Sequence, residues 1–178
     1  MKFRHVVLFS GQAFKVPQGI QRIDHRATHG WQLRYGGTKM FSDHSTDGSG
    51  AAAALDKATK ELLRRIATLQ APTTLQHGPS QNKTNDLPPG ISGPIVRQRR
   101  GSKVKDASLS VLIPRYGDKP RRRTIYIGTE NTYTLQKYEA ALARAIEMRK
   151  AAEEAYRRDI TRAKRAEGRQ LKAERKAG

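Results

Sequence analysis

Residues 108–156, SLSVLIPRYGDKPRRRTIYIGTENTYTLQKYEAALARAIEMRKAAEEAY, determine the fold that we predict for this chain. Leu109, Val111 and Ile113 alternate with Ser108, Ser110 and Leu112, and a second β-branched and aromatic run follows a segment of turn residues. Two such runs are typical of a β-hairpin. A helical period then begins, and its apolar residues form one stripe: Leu135, Tyr138, Leu142, Ala145, Ile146 and Ala152.

The hairpin must bury one of its two faces, because an isolated hairpin is only marginally stable in water. The amphipathic helix that follows is the obvious cover for that face. The other face remains exposed, and the loop beside it carries several cations: Arg115, Lys119, Arg121, Arg122 and Arg123. The sequence therefore predicts a basic open sheet backed by one helix.

The same succession of patterns occurs earlier in the chain. Residues 30–42 contain two alternating runs separated by a glycine turn, and residues 51–66 have a helical period. A Gly-Ile pair precedes each copy, beginning at Gly19 and at Gly90. Repetition at about 70 residues indicates two copies of one small module. A chance recurrence of the strand–strand–helix pattern is the alternative.

The predicted fold class is α+β, with two small modules that each consist of a three-stranded antiparallel sheet packed on one α-helix. The modules span residues 18–69 and 89–157, and a proline-rich linker joins them at residues 70–88. An N-terminal arm (residues 1–17) is expected to add a strand or to pack on the first module. A basic tail (residues 158–178) is expected to be solvated and partly helical. Ser49 is the predicted N-cap of the first helix.

The charge of the chain is the strongest compositional clue to its partners. Lys and Arg number 35 against 16 Asp and Glu, which gives a net charge of +19. Such an excess attracts polyanions, so DNA and RNA are the leading partners and an anionic membrane is a distant third. The absence of cysteine excludes disulfides and thiolate metal sites. The longest apolar run near the N-terminus is VVLF, which is too short for the core of a signal peptide or for a membrane span. We therefore expect a protein that stays in the cytoplasm, at the nucleoid or in a nucleus.

Each predicted module resembles the DNA-binding domain of the apetala-two, or ethylene-response-factor, family of plants, which also occurs in bacterial and phage proteins. In the first copy the resemblance rests on the Gly-Ile pair and on GWQLRY, KMFSD and AAALDKATKELLR. In the second copy it rests on the Gly-Ile pair and on SLSVLI, TIYIGT and YEAALARAIEMR. The arm, the linker and the tail lie outside the resemblance.

The resemblance implies that the open face of each sheet lies in the major groove of DNA. In the first module it assigns the DNA contacts to Arg22, Arg26, Gln32, Arg34, Thr38 and Met40. In the second module it assigns them to Arg97, Arg99, Arg100, Ser110, Leu112, Arg122, Thr124 and Tyr126. Met40 stands where the plant domains have a DNA-facing Trp, and Leu112 where they have a charged residue. The target sequence of the plant family is therefore not expected to transfer.

Side-chain chemistry divides these candidates into two roles. Donors such as Arg and Gln identify bases in the major groove, whereas Lys and Arg at phosphates add affinity without sequence information. We expect the base readers to be Arg22, Gln32, Arg34 and Tyr126. We expect the basic tail and five further cations to hold the DNA backbone: Lys103, Lys105, Arg121, Arg122 and Arg123.

Several sequence features bear on functions other than DNA recognition. The chain has no phosphate loop, no metal-binding His pair on a helix and no nucleophile motif, so we expect no enzyme activity, no cofactor and no metal. Trp31 shares a face with Leu33 and Tyr35, which predicts a core residue, whereas Tyr126 is expected to be exposed. The predicted function is sequence-selective binding of double-stranded DNA by a transcriptional regulator or a phage or mobile-element accessory factor. An RNA-binding or ribosome-associated protein and a non-selective DNA-coating protein are the alternatives.

Overall fold

The computed structural model describes residues 1–76, 78, 83–98, 101 and 103–177. Its elements in chain order are β1 (Phe3–Val7), β2 (Ala13–Pro17), β3 (Ile20–His25), β4 (Thr28–Arg34), β5 (Thr38–Ser42), α1 (Ala51–Thr68), β6 (Ile91–Gln98), β7 (Lys105–Ile113), β8 (Arg121–Thr129) and α2 (Leu135–Ala177). The strands form three small antiparallel sheets, β1–β2, β3–β4–β5 and β6–β7–β8. The predicted α+β class and the helix start at Leu135 are confirmed.

The chain divides into two compact units. The first unit comprises Met1–Pro72 together with Ile160–Gly178, and the second comprises Thr73–Asp159. The first unit therefore contains β1 to β5, α1 and the last part of α2. The second unit contains β6 to β8 and the first part of α2. The predicted module of one sheet and one helix is therefore incomplete for the first unit. That unit also contains the β1–β2 hairpin and a second helical segment.

The core of the first unit lies between α1 and one face of the β3–β4–β5 sheet. Trp31 and Leu33 alternate with polar residues along β4, and both are fully buried against Leu62 and Ile66 of α1. The indole Nε1 of Trp31 donates a hydrogen bond of 2.8 Å to the carbonyl oxygen of Ala51, so its polar group is satisfied inside the core. The prediction that Trp31 is a core residue is confirmed.

The N-terminal arm is a β-hairpin that packs on this core. Leu8 and Val16 are buried within it, and the ring of Phe14 contacts that of Trp31 edge-on at a centroid distance of 5.6 Å. Arg4 Nη2 donates a hydrogen bond of 2.7 Å to the carbonyl oxygen of Ile20, the first residue of β3. The hairpin is therefore joined to the β3 edge of the sheet as well as to the core.

The last part of α2 is a packed helix, which corrects the expected solvated tail. Thr161, Gly168 and Leu171 are buried within the first unit. A Cβ atom on Gly168 would lie 2.9 Å from Cγ2 of Ile66, so the glycine permits a close approach of the helix to α1. The low helix propensity of this glycine does not end the helix, because tertiary packing outweighs propensity.

Gly50, and not Ser49, is the N-cap of α1. Gly50 forms no side-chain capping hydrogen bond, and the backbone N–H of Ser49 donates to Asp47 Oδ1 at 3.0 Å. A Cβ atom on Gly50 would lie 1.8 Å from the carbonyl oxygen of Asp43. The close approach of these two backbone segments therefore requires glycine immediately before the helix, and this requirement overrides the usual preference for Ser at an N-cap.

The second unit has a separate core, in which β7 is the central strand. Leu109, Val111, Ile125 and Ile127 are buried against α2, whose contribution includes Ala141 and Ala145. Arg149 of α2 donates hydrogen bonds to the carbonyl oxygen of Leu112 and to Glu153 Oε1, so its charge is satisfied although the residue is buried. The stripe predicted from Leu135 to Ala152 therefore faces the sheet over its central turns.

Candidate nucleic-acid interface

The β3–β4–β5 sheet has a polar face on the side away from Trp31 and α1. The strand register places Gln21, Gln32 and Met40 side by side, and it places Arg34 beside Thr38. Arg34 and Thr38 are exposed, and the other three are partly exposed. We call these five residues the first open face. Gln21 is not among the interface residues predicted from the sequence. Successive side chains of a strand point to opposite faces, so the position of Gln21 directly after the buried Ile20 indicates that it lies on the open face.

Arg34 and Gln32 are neighbours along β4 on this face. The guanidinium Nε of Arg34 donates a hydrogen bond to Gln32 Oε1. That bond orients the arginine, and the terminal nitrogens Nη1 and Nη2 remain as a pair of donors in the plane of the guanidinium. Arg26 lies in the turn between β3 and β4 and is exposed at the end of the sheet.

Arg22 lies on the covered face of the sheet, contrary to the expectation that it reads bases. It stands opposite Trp31 in the β3–β4 register, and its guanidinium lies 5.1 Å from the centroid of the Trp31 ring. Arg22 Nη2 lies 2.7 Å from Asp24 Oδ1 and 2.6 Å from Asp43 Oδ2, and its side chain is only 8% exposed. Arg22 is covered because side chains two residues apart on a strand share a face, and Arg22 is two residues after the buried Ile20.

The carboxylates around Arg22 form a compact charged cluster. The hydrogen bond from Arg22 is the main cause that lowers the pKa of Asp24 below its usual value, and a hydrogen bond from His29 adds to the effect. The side chain of Asp43 is completely buried. Since Asp43 follows β5 and precedes α1, its ion pair with Arg22 joins β3 to the segment that leads into the helix. The cluster therefore has a structural role.

The β6–β7–β8 sheet also has a polar face. Across the register of β7 and β8, Ser108 pairs with Tyr126, Ser110 with Thr124, and Leu112 with Arg122. We call these six residues the second open face. Tyr126 is 49% exposed, which confirms that its ring points away from the core formed by Ile125 and Ile127.

The other predicted cations of the second unit have different placements. Arg121, Arg122 and Arg123 are the first three residues of β8 and do not lie in a loop. Arg121 and Arg123 stand opposite Ile113 and Val111, on the face that α2 covers, and both are exposed. Arg97 is exposed near the end of β6, opposite Asp106. Lys103 precedes β7 and Lys105 is its first residue, and both are exposed. Arg99 and Arg100 lie outside the described residues.

A second basic region of the first unit lies away from the first open face. A cavity of about 670 Å³ is formed between α1 and the last part of α2, with Leu63, Ile66 and Gly168 in its lining. Seven cations also line this basic cavity: Lys60 and Arg64 on α1, and Arg165, Arg169, Lys172, Arg175 and Lys176 on α2. The described lining of this cavity contains no amide or hydroxyl side chain, whereas the first open face carries both.

Comparison with protein-family models, with curated proteins and with solved structures found no match for this chain. Within the described ranges, no group of three or more His, Cys, Asp or Glu side chains is arranged to hold a metal ion. None of the described helices combines the length and the apolar character that crossing a membrane requires. The candidate interface is thus defined by geometry and charge alone.

Proposed function

We propose that this protein binds double-stranded DNA sequence-selectively and that the first open face enters the major groove. The observation that carries the proposal is the adjoining pair Gln32 and Arg34 on a sheet face that neither α1 nor the hydrophobic core covers. Arg is suited to guanine and Gln to adenine, and each well-placed pair contributes about 1–3 kcal/mol of discrimination against other bases.

The dimensions of the sheet agree with this mode of binding. Neighbouring strands are about 4.8 Å apart, so three strands span about 10 Å between the outer strand axes. The major groove is about 12 Å wide and admits a narrow β-ribbon. Because Arg34 Nε is used by Gln32, Nη1 and Nη2 are the atoms that would donate to the O6 and N7 atoms of guanine. Thr38 and Met40 would add a hydroxyl and an apolar contact for a neighbouring base pair.

We further propose that the second unit is another duplex-binding module of the same sheet-on-helix type. The repeated sequence pattern and the resemblance to apetala-two domains support this view. The second open face is rich in hydroxyl groups, which commonly bind phosphate oxygens, and Arg122 is its cation. Its contacts are therefore expected mainly at the DNA backbone. A role as a transcriptional regulator or as an accessory factor of a phage or mobile element fits both modules.

The net charge of +19 supports a polyanionic partner but does not distinguish DNA from RNA. The selective arrangement of donors on the first open face favours duplex DNA, because the major groove of an RNA helix is too deep and narrow for side chains to read. Single-stranded RNA is recognised largely by stacking on aromatic side chains, and the first open face contains no aromatic residue.

Selection of binding sites from a random duplex pool, at about physiological salt, tests the proposal. We expect a short enriched motif for the wild-type protein and loss of preference at one or two positions for Arg34→Ala. Lys57→Ala is the matched control, because Lys57 is an exposed cation on α1. Equal binding of all duplexes would indicate a DNA-coating protein, and stronger competition by structured RNA would indicate an RNA-binding protein.

A further inference from the structure

A small cleft adjoins the first open face at the β3 edge of the sheet. Its volume is about 260 Å³, and the N-terminal hairpin forms one of its walls. The polar side chains that line it are Lys2, Arg4, Gln18, Gln21 and Arg34. Two of these, Gln21 and Arg34, also belong to the first open face, so the cleft and the face are continuous.

Hydrogen bonds within the first unit fix the guanidinium of Arg4 and the backbone of Lys2. Arg4 Nη2 donates to the carbonyl oxygen of Ile20 at 2.7 Å, which fixes the guanidinium at the start of β3. The backbone N–H of Gln18 donates to the carbonyl oxygen of Lys2 at 2.9 Å, which fixes the backbone at the base of the Lys2 side chain. A site assembled on fixed elements loses less entropy when it binds a ligand.

The charge of the cleft favours an anion. Lys2, Arg4 and Arg34 contribute three positive charges, and no carboxylate belongs to its described lining. Arginine and lysine donors combined with glutamine amides form a common environment for the oxygens of a phosphate group. The cleft is open and lies beside a face that carries base-reading chemistry, so a phosphate within a polymer would be able to reach it.

We propose that this cleft binds a phosphate group of the DNA strand that flanks the major groove occupied by the first open face. This inference rests on the proposed function and assigns a role to the N-terminal hairpin. The bound phosphate would fix the position of the sheet in the groove, and Arg34 would link that contact to the neighbouring base contact. Lys2 and Arg4 would act equally on all DNA sequences, whereas Arg34 would also affect sequence preference.

Lys2→Ala tests the proposal, with Lys15→Ala as a matched control from the same hairpin. Lys15 is exposed, lies outside the cleft and places its Nζ 4.6 Å from the ring centroid of Phe3. Affinity is measured over a series of salt concentrations, on the selected duplex and on an unrelated duplex. Lys2→Ala should weaken both by about 3- to 10-fold and reduce the slope of log affinity against log salt by about 1. If both variants give the same slopes and affinities, the cleft binds no phosphate.

Duplexes with one methylphosphonate at each successive backbone position provide the decisive comparison. One neutralised phosphate should weaken binding by the wild-type protein but should produce little further loss for Lys2→Ala. If every position weakens both proteins equally, the inference is overturned while the proposed function stands. If the wild-type protein shows no preference for the selected duplex, the proposed function itself fails. Trp31 fluorescence confirms that each variant retains the folded first unit, since Trp31 is the one tryptophan of the chain and lies in that core.

Discussion

The guanidinium Nη2 of Arg22 lies 2.6 Å from Oδ2 of Asp43 on the covered side of the β3–β4–β5 sheet. The side chain of Arg22 is 8% exposed and that of Asp43 is fully buried. Arg34, by contrast, is exposed on the opposite face of the same sheet. Two arginines on adjacent strands therefore have different roles: Arg22 stabilises the unit, and Arg34 is available to a partner.

Arg22→Ala should lower the free energy of unfolding of the first unit by about 3–5 kcal/mol, because it leaves the buried carboxylate of Asp43 without its cation. Arg34→Ala should change it by no more than about 0.5 kcal/mol, as is usual for an exposed side chain. Urea unfolding followed by Trp31 fluorescence measures both values. Similar small losses for the two variants would show that the ion pair contributes little to stability.

Glu61 makes the stability of the first unit sensitive to acid. Hydrogen bonds from Arg64 and Arg65 lower the pKa of Glu61 from 4.5 to about 2. Because the folded-state pKa is depressed, the stabilisation is fully present above pH 4.5 and is lost as the pH falls towards 2. The wild-type protein should therefore be more stable than Glu61→Gln at neutral pH, and the difference should shrink between pH 4.5 and 2. A difference that stays constant over this range would contradict the assignment.

Gly168→Leu should destabilise the first unit by about 1–3 kcal/mol, because the added side chain overpacks the contact with Ile66. Gln170→Leu is the control, since Gln170 is exposed on the same segment of α2. Urea unfolding followed by Trp31 fluorescence again provides the measurement. Equal stability of the two variants would mean that the last part of α2 does not pack on α1.

The two faces of the β6–β7–β8 sheet can be distinguished with adjacent arginines. Arg122 stands opposite Leu112 on the second open face, whereas Arg123 stands opposite the buried Val111. Arg122→Ala should weaken binding to duplex DNA by about 3- to 10-fold, as expected for the loss of one phosphate contact, and Arg123→Ala should weaken it less. Equal effects measured by fluorescence anisotropy would show that the sheet is not oriented as proposed.

Local patterns were sufficient to predict much of the fold. Alternation located β4 and β7, assigned Trp31 to the core and placed Gln32 and Arg34 together on the other face. The apolar stripe beginning at Leu135 located the start of α2. These features depend on residues that are close in sequence, and their periodicity follows directly from the geometry of strands and helices.

Features that depend on distant residues were predicted poorly. Arg22 lies on the same face of β3 as Ile20, because the two residues are two positions apart. A basic side chain is nevertheless usually exposed, and the buried carboxylate that makes this one an exception, Asp43, comes from a separate segment of the chain. Thr161, Gly168 and Leu171 are hidden among many cations, and their packing partners on and beside α1 lie far away along the chain. The sequence alone does not show which distant segment will cover a weakly apolar stripe, and the many cations around this stripe predict a solvated tail.

The most direct measurement is an NMR titration of the isotopically labelled full-length protein with the selected duplex. The proposed interface predicts that the side-chain amide of Gln32 and the Nε–H of Arg34 shift early and strongly, while Lys57 and the lining of the basic cavity change little. Strong shifts at Arg169 and Lys172 of that cavity, with Gln32 and Arg34 unperturbed, would contradict it.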